Sequence, residues 1–288
     1  MQFTNVRIIF SNFAHMKRFF TLLLTLAVCL SAFGQAQITT RKEKLSDFGT
    51  KTLKVVLTGD EPLDGALRKA AKNAWYMSPF ETCTTDEFDR LRTSANYYFL
   101  LLTDGKGKGD GAGLVFAALL KGGASARENM MEVVRLPLCA AGAPSGRETT
   151  LLTALLENIQ SYVALAMKSD LKGFGSVVTG LKRRPGTEAW LVEDEISAQA
   201  ATAFRDGWPE RIHVVGAEEA DAVMEAGEEG IVGFSVAPAA PEKGAVCYKY
   251  LIDARTNEIY YYKKHKIGAG SGAGFLKADV NALAKAVR

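Results

Sequence analysis

Residues 53–103, LKVVLTGDEPLDGALRKAAKNAWYMSPFETCTTDEFDRLRTSANYYFLLLT, decide the fold once they are set beside residues 188–236, EAWLVEDEISAQAATAFRDGWPERIHVVGAEEADAVMEAGEEGIVGFSV. The first stretch reads strand, helix, strand, helix, strand. LKVVLTG is a strand. EPLDGALRKAAKNAW carries Leu63, Leu67, Ala70, Ala71 and Ala74 at helical spacing. MSPFETC is a short strand candidate, and TTDEFDRLRT is a helix with Thr84 or Thr85 at its N-cap and acids in its first turn. NYYFLLLT has the aromatic and aliphatic run of a strand buried on both faces. The second stretch, with its flanking residues, repeats that order, from TEAWLVED through a helix ending near Trp208, RIHVVG and AEEADAVMEAG to EGIVGFSVAPA.

The resemblance continues outward. GAGLVFAALLKGG, NMMEVVRLPL and a long amphipathic helix from Arg147 complete the first half. A hairpin turning at ARTNE and the helix FLKADVNALAKAV complete the second. A tryptophan closes the first helix of each half, Trp75 and Trp208, and Phe80 to Thr82 falls opposite Ile212 to Val214. The expectation is an α/β (α+β) chain of two tandem similar domains. Each is a mixed sheet in order β-α-β-α-β-β-β-α with helices packed on it. The domains are placed at residues 46–170 and 188–288, with a glycine-rich linker at 171–187.

Ahead of the domains, residues 1–34 read as a signal peptide. Met16 is the better start. Lys17 and Arg18 are the positive segment, Phe19 to Leu30 the apolar segment, and SAFGQAQ supplies small residues for cleavage after Gly34 or Ala36. The apolar run is too short to span a membrane comfortably. The sequence leaves Cys29 as a less favoured lipidation point. The expected destination is the periplasm, the outer-membrane region or the exterior, as part of the cell envelope.

Three of the 35 basic residues (Arg7, Lys17 and Arg18) and none of the 32 acidic ones lie in the first 34, which leaves 32 of each sign. A neutral remainder has no overall field for nucleic acid or anionic lipid. Expected partners are an envelope protein or a small ligand, not nucleic acid. Cys83, Cys139 and Cys247 are too few and too scattered for a disulfide framework. They read as small buried apolar residues, although a Cys83–Cys139 bridge is open to an exported chain.

The remaining candidates are sparse. Gly268, Gly270, Gly272 and Gly274 in IGAGSGAG precede the last helix, with His265 just before them in KKHK. They are candidate ligand-binding residues, because free N–H groups at a helix start hold anions. The pattern lacks the Lys-Ser/Thr of a P-loop and the third glycine of a dinucleotide fingerprint. The equivalent segment of the first half, LCAAGAPSGRETT, is also a run of small residues before a helix. The bland reading is therefore a construction loop. His213 reads as a strand residue and His265 as exposed at a hairpin end. Neither supplies zinc-site spacing or a catalytic triad. Glu193, Asp194 and Glu195, like Asp60 and Glu61, read as helix-capping acids. In EIYYYKKHK, alternation puts Tyr260 and Tyr262 on one side and Tyr261 and Lys263 on the other.

Together these readings name no catalytic residue, metal or cofactor. They favour a non-enzymatic binding or structural module of the envelope. Two alternatives stand beside it: a carboxylate-dependent hydrolase, and a nucleotide- or anion-binding protein using Gly268–Gly274.

Overall fold

In the computed structural model, residues 42–105 and 111–288 are described. The signal segment and Cys29 lie outside them. After a single helical turn at Lys42–Leu45, the first half runs β1 (Thr52–Val56), α1 (Glu61–Ala74), β2 (Phe80–Cys83), α2 (Thr85–Leu91), β3 (Tyr97–Asp104), β4 (Leu114–Lys121), β5 (Met131–Ala140) and α3 (Glu148–Ala166). The second runs β6 (Ala189–Val192), α4 (Ala198–Ala203), β7 (Ile212–Val215), α5 (Ala217–Ala226), β8 (Ile231–Val236), β9 (Val246–Asp253), β10 (Ile259–Lys266) and α6 (Lys277–Val287). The two halves therefore share one order, as the sequence predicts.

They also share one wiring. The first sheet is ordered β2-β1-β3-β4-β5, and the second, read from its other edge, β7-β6-β8-β9-β10. In each, the first strand pairs parallel with the second and third strands, and the third, fourth and fifth form an antiparallel meander. Leu53 opposes Phe80, and Ala189 opposes Ile212, so Phe80 and Ile212 occupy equivalent places.

Local chemistry explains the element ends. The Asp60 side chain accepts from Leu63 N at 3.2 Å and Pro62 lies in the first turn, which starts α1. Thr84 and Glu87 close a capping box at α2. The first helix of the second half is shorter than expected. α4 ends at Ala203, and Phe204 stacks on Trp208 at 5.0 Å between ring centroids. Gly207 and Pro209 follow, a pair that does not continue a helix.

Although the sheets are separate, Ile38–Arg288 is one compact unit. α1 and α3 cover one face of the first sheet, and Phe88 of α2 packs on the other with Val56, Phe99 and Leu101. α4 and α6 cover one face of the second sheet. Its opposite face carries Val232, Phe234, Tyr250 and Ile252 into the core that holds α3 and β5. Tyr250 Oη donates to Pro137 O at 2.8 Å, and Asn158 Nδ2 donates to Asn257 O at 2.6 Å. The long helix of the first half thus serves both sheets, which is why it is buried nearly all round. Among the described residues, no helix is long and apolar enough to cross a membrane.

The tyrosine ribbon departs from simple alternation. The β9–β10 register shifts between Ile259 and Tyr261. The extra residue of that bulge puts Tyr260 and Tyr261 in one cluster, while Tyr262 stacks on Tyr250 at 5.1 Å on the opposite side.

Candidate functional site: the two strand-order crevices

In both sheets the strand order reverses at the first strand, because the second lies on one side of it and the third on the other. Sheets wired this way leave a crevice beyond the carboxyl ends of the first and third strands, where ligands bind. The chain contains this crevice twice, with different contents.

The first crevice is open. A cavity of about 370 Å³ lies beyond Val56–Thr58 of β1 and Leu101–Asp104 of β3. Its floor is apolar, with Phe88 from α2 and Leu63 from α1 on either side. Thr58, Thr85, Thr103, Asp60, Asp104 and Arg127 supply polar groups. The loop beneath it is stiff, because the buried Asp64 carboxylate accepts from Thr58 N at 2.7 Å and Gly59 N at 3.0 Å. Thr85 Oγ1 donates to Leu57 O at 3.3 Å. Arg127 rests over the Phe88 ring at 5.5 Å.

The second crevice is filled. β6 and β8 stay in register for only two pairs, Ala189–Ile231 and Trp190–Val232, against four between β1 and β3. Beyond the last of these pairs comes Arg147, from the start of α3. Its Nη1 donates to Glu195 Oε1 at 2.6 Å and to Gly233 O at 3.2 Å. Its Nε donates to Asp221 Oδ1 at 2.9 Å, and its Cζ lies 4.1 Å from the centroid of the Phe234 ring. Glu195 also accepts from Ser235 N at 2.6 Å. Arg147 is 5% exposed, and its Nη2 is buried without a hydrogen-bond partner.

One guanidinium here serves two carboxylates. Burial raises the Glu195 carboxyl above the usual range, only partly offset by Arg147. The same two influences act on Asp221, which is also raised, and Glu225 and Glu148 push it further. The capping expected of Glu195 is thus corrected. Glu193 and Asp194 are exposed, Ser197 caps α4, and Glu195 turns inward because a buried cation waits there.

The glycine loop packs against the back of this cluster. Gly268 and Ser271 exchange backbone hydrogen bonds at 2.9 and 3.1 Å. Gly270 lies at the turn, with open space around its Cα. Gly272 N donates to Gln199 Oε1 at 3.3 Å, Gly274 N to Cys247 Sγ at 3.3 Å, and Phe275 N to Glu195 O at 2.7 Å. Gly274 holds φ at 96°, and a Cβ there would sit 2.4 Å from Glu195 O. His265 is half-buried, not exposed as expected. Its Nε2 meets Gly272 O at 2.8 Å, its Nδ1 is buried without a partner, and burial lowers its pKa. His213 is exposed and pairs with Glu188 Oε2 at 2.8 Å.

Cys83, Cys139 and Cys247 are free and buried. Burial pushes the Cys83 thiol up to about 11 and the Cys139 thiol up to about 12, so both stay protonated. On the far side of the second sheet, buried Lys249 pairs with Asp279, which also accepts from Tyr261 Oη and Leu276 N. No group of metal-holding side chains occurs among the described residues.

Sequence reasoning missed both crevices. The reversal rule, applied to the strand order the structure shows, points to the ends of β1 and β3. Arg147 also left a signal. A cation at the N-cap of a helix opposes the helix dipole, so it is there for another reason. Comparison with protein-family models, with curated proteins and with solved structures finds no match.

Proposed function

We propose that the protein is an exported, non-enzymatic binding module. The first-half crevice takes the ligand, and the second half serves as a structural counterpart whose own crevice is latched by Arg147. One observation supports this reading above the others: equivalent crevices exist, and only the first is open. Its size suits a small molecule. Its threonine hydroxyls, two carboxylates and one guanidinium over an apolar floor suit a compact hydroxylated or amide-bearing ligand. Glu195 and Asp221, two acids whose carboxyls burial raises, are committed to Arg147. This favours binding over acid–base chemistry.

Crystals soaked with a panel of sugars, amino acids and amides test the site. Density against Thr58, Thr103 and Asp104 is expected, and none in Thr103→Trp, which fills the cavity. Ligand density confined to the Gly268–Gly274 loop would transfer the site there. Turnover of a substrate that is lost in Asp104→Asn would make the protein an enzyme. The intact mass of the native protein tests export, with a new N-terminus at residue 35 or 37 as the expected result.

A further inference from the structure

The outer edge of the second sheet carries a separate feature. β10 ends that sheet, and no strand pairs with its outer side among the described residues. A groove of about 530 Å³ lies along it, bounded by the connector at Leu181 and by Ala282 and Ala286 of α6. Four consecutive residues, Tyr260–Lys263, line it. Successive strand side chains point to opposite faces, so a run of four marks the strand's edge rather than one face.

That edge already receives an extended chain at its start. Thr179 N of the connector donates to Ile259 O at 3.3 Å. Gly180, at φ 82°, then turns the connector away, and it reattaches at the end of α6 through Arg184 N to Ala286 O at 2.6 Å. The next four residues of the edge, Tyr260–Lys263, line the groove. Three exposed cations stand round it, Arg183, Lys263 and Lys285, and the lining contains no carboxylate. None of the three has an ion-pair partner among the described residues. Lysines on an edge repel an identical edge, so the charge that admits an acidic strand excludes a second copy.

We propose that this groove docks an extended acidic segment of a partner protein, added to the second sheet as a sixth strand beside β10. Main-chain hydrogen bonds would give the affinity, and acidic side chains reaching Arg183, Lys263 and Lys285 the selectivity.

Fluorescence polarisation of the full chain with a short labelled peptide alternating glutamate and valine tests this. Saturable binding that weakens with added salt is expected. Lys263→Glu/Lys285→Glu, with an unchanged melting temperature, should bind about tenfold more weakly, as expected for two exposed charge pairs reversed. A peptide with N-methylated backbone amides and one with lysine for glutamate should both fail. Equal binding of the methylated peptide would reduce the groove to a charge patch and overturn strand addition. No saturable binding, or no effect of the double variant, would overturn the site. Capture of phosphatidylglycerol vesicles in place of the peptide would assign the cations to lipid and equally overturn it. None of these outcomes bears on the first-half crevice.

Discussion

The first and second crevices begin from the same wiring and end differently. Beyond β1 and β3 the strands stay paired through Val55 and Leu100, and the space outside them is empty. Beyond β6 and β8 the strands part early, and Glu195, Asp221 and Arg147 occupy the gap. The filling cation comes from the other half of the chain. Two copies of one wiring therefore need not keep two open crevices. The second crevice holds the contacts that join the copies, and the first is left open. Packing follows from the same contacts, since α3 begins at the latch and then runs between the sheets.

The strongest test of that contrast is Arg147→Ala. It leaves two carboxylates buried without their cation and is expected to lower unfolding stability by about 3–5 kcal/mol in chemical denaturation at neutral pH. Arg127→Ala, at the open crevice, should change it by no more than about 0.5 kcal/mol. Equal effects would erase the distinction. Next comes Gly274→Ala, which meets both a positive φ and a close Glu195 carbonyl and should cost about 1–3 kcal/mol by the same measurement. Gly270→Ala, in open space, should stay within about 0.5 kcal/mol. Tyr250→Phe removes a buried donor from Pro137 O across the joint, for a loss of about 1–2 kcal/mol.

The smallest effect is in pH dependence. The folded carboxyl of Glu195 lies above its unfolded value of about 4.3, so the folded state holds the extra proton between the two. Its contribution to stability therefore falls as pH rises from the unfolded pKa to the folded one. Glu195→Gln should gain on the parent over that interval, measured as the difference between their denaturation midpoints. A gap that narrowed toward acid from the opposite sign, with the parent gaining as pH rises, would mean that Arg147 outweighs burial.

Much of the architecture was written in local pattern. Continuous apolar runs such as Tyr97–Asp104, helical spacing in Glu61–Ala74, and the caps at Asp60 and Thr84 depend on residues within a turn or a strand of one another, and these set element order. Repetition of that order implied two like sheets before any contact was known. What the pattern did not carry was contact between distant segments. Arg147 lies 48 residues from Glu195 and 74 from Asp221, and a lone arginine in PSGRETT has no periodicity. The same holds for His265, whose burial depends on the loop folding back over it, and for Tyr260, which one bulged residue shifts across the strand. Periodicity reports which face a residue shows to its own element. Which distant group meets that face, and whether a gap stays open or is filled, is settled when the sheets pack and each buried charge must find its counter-charge.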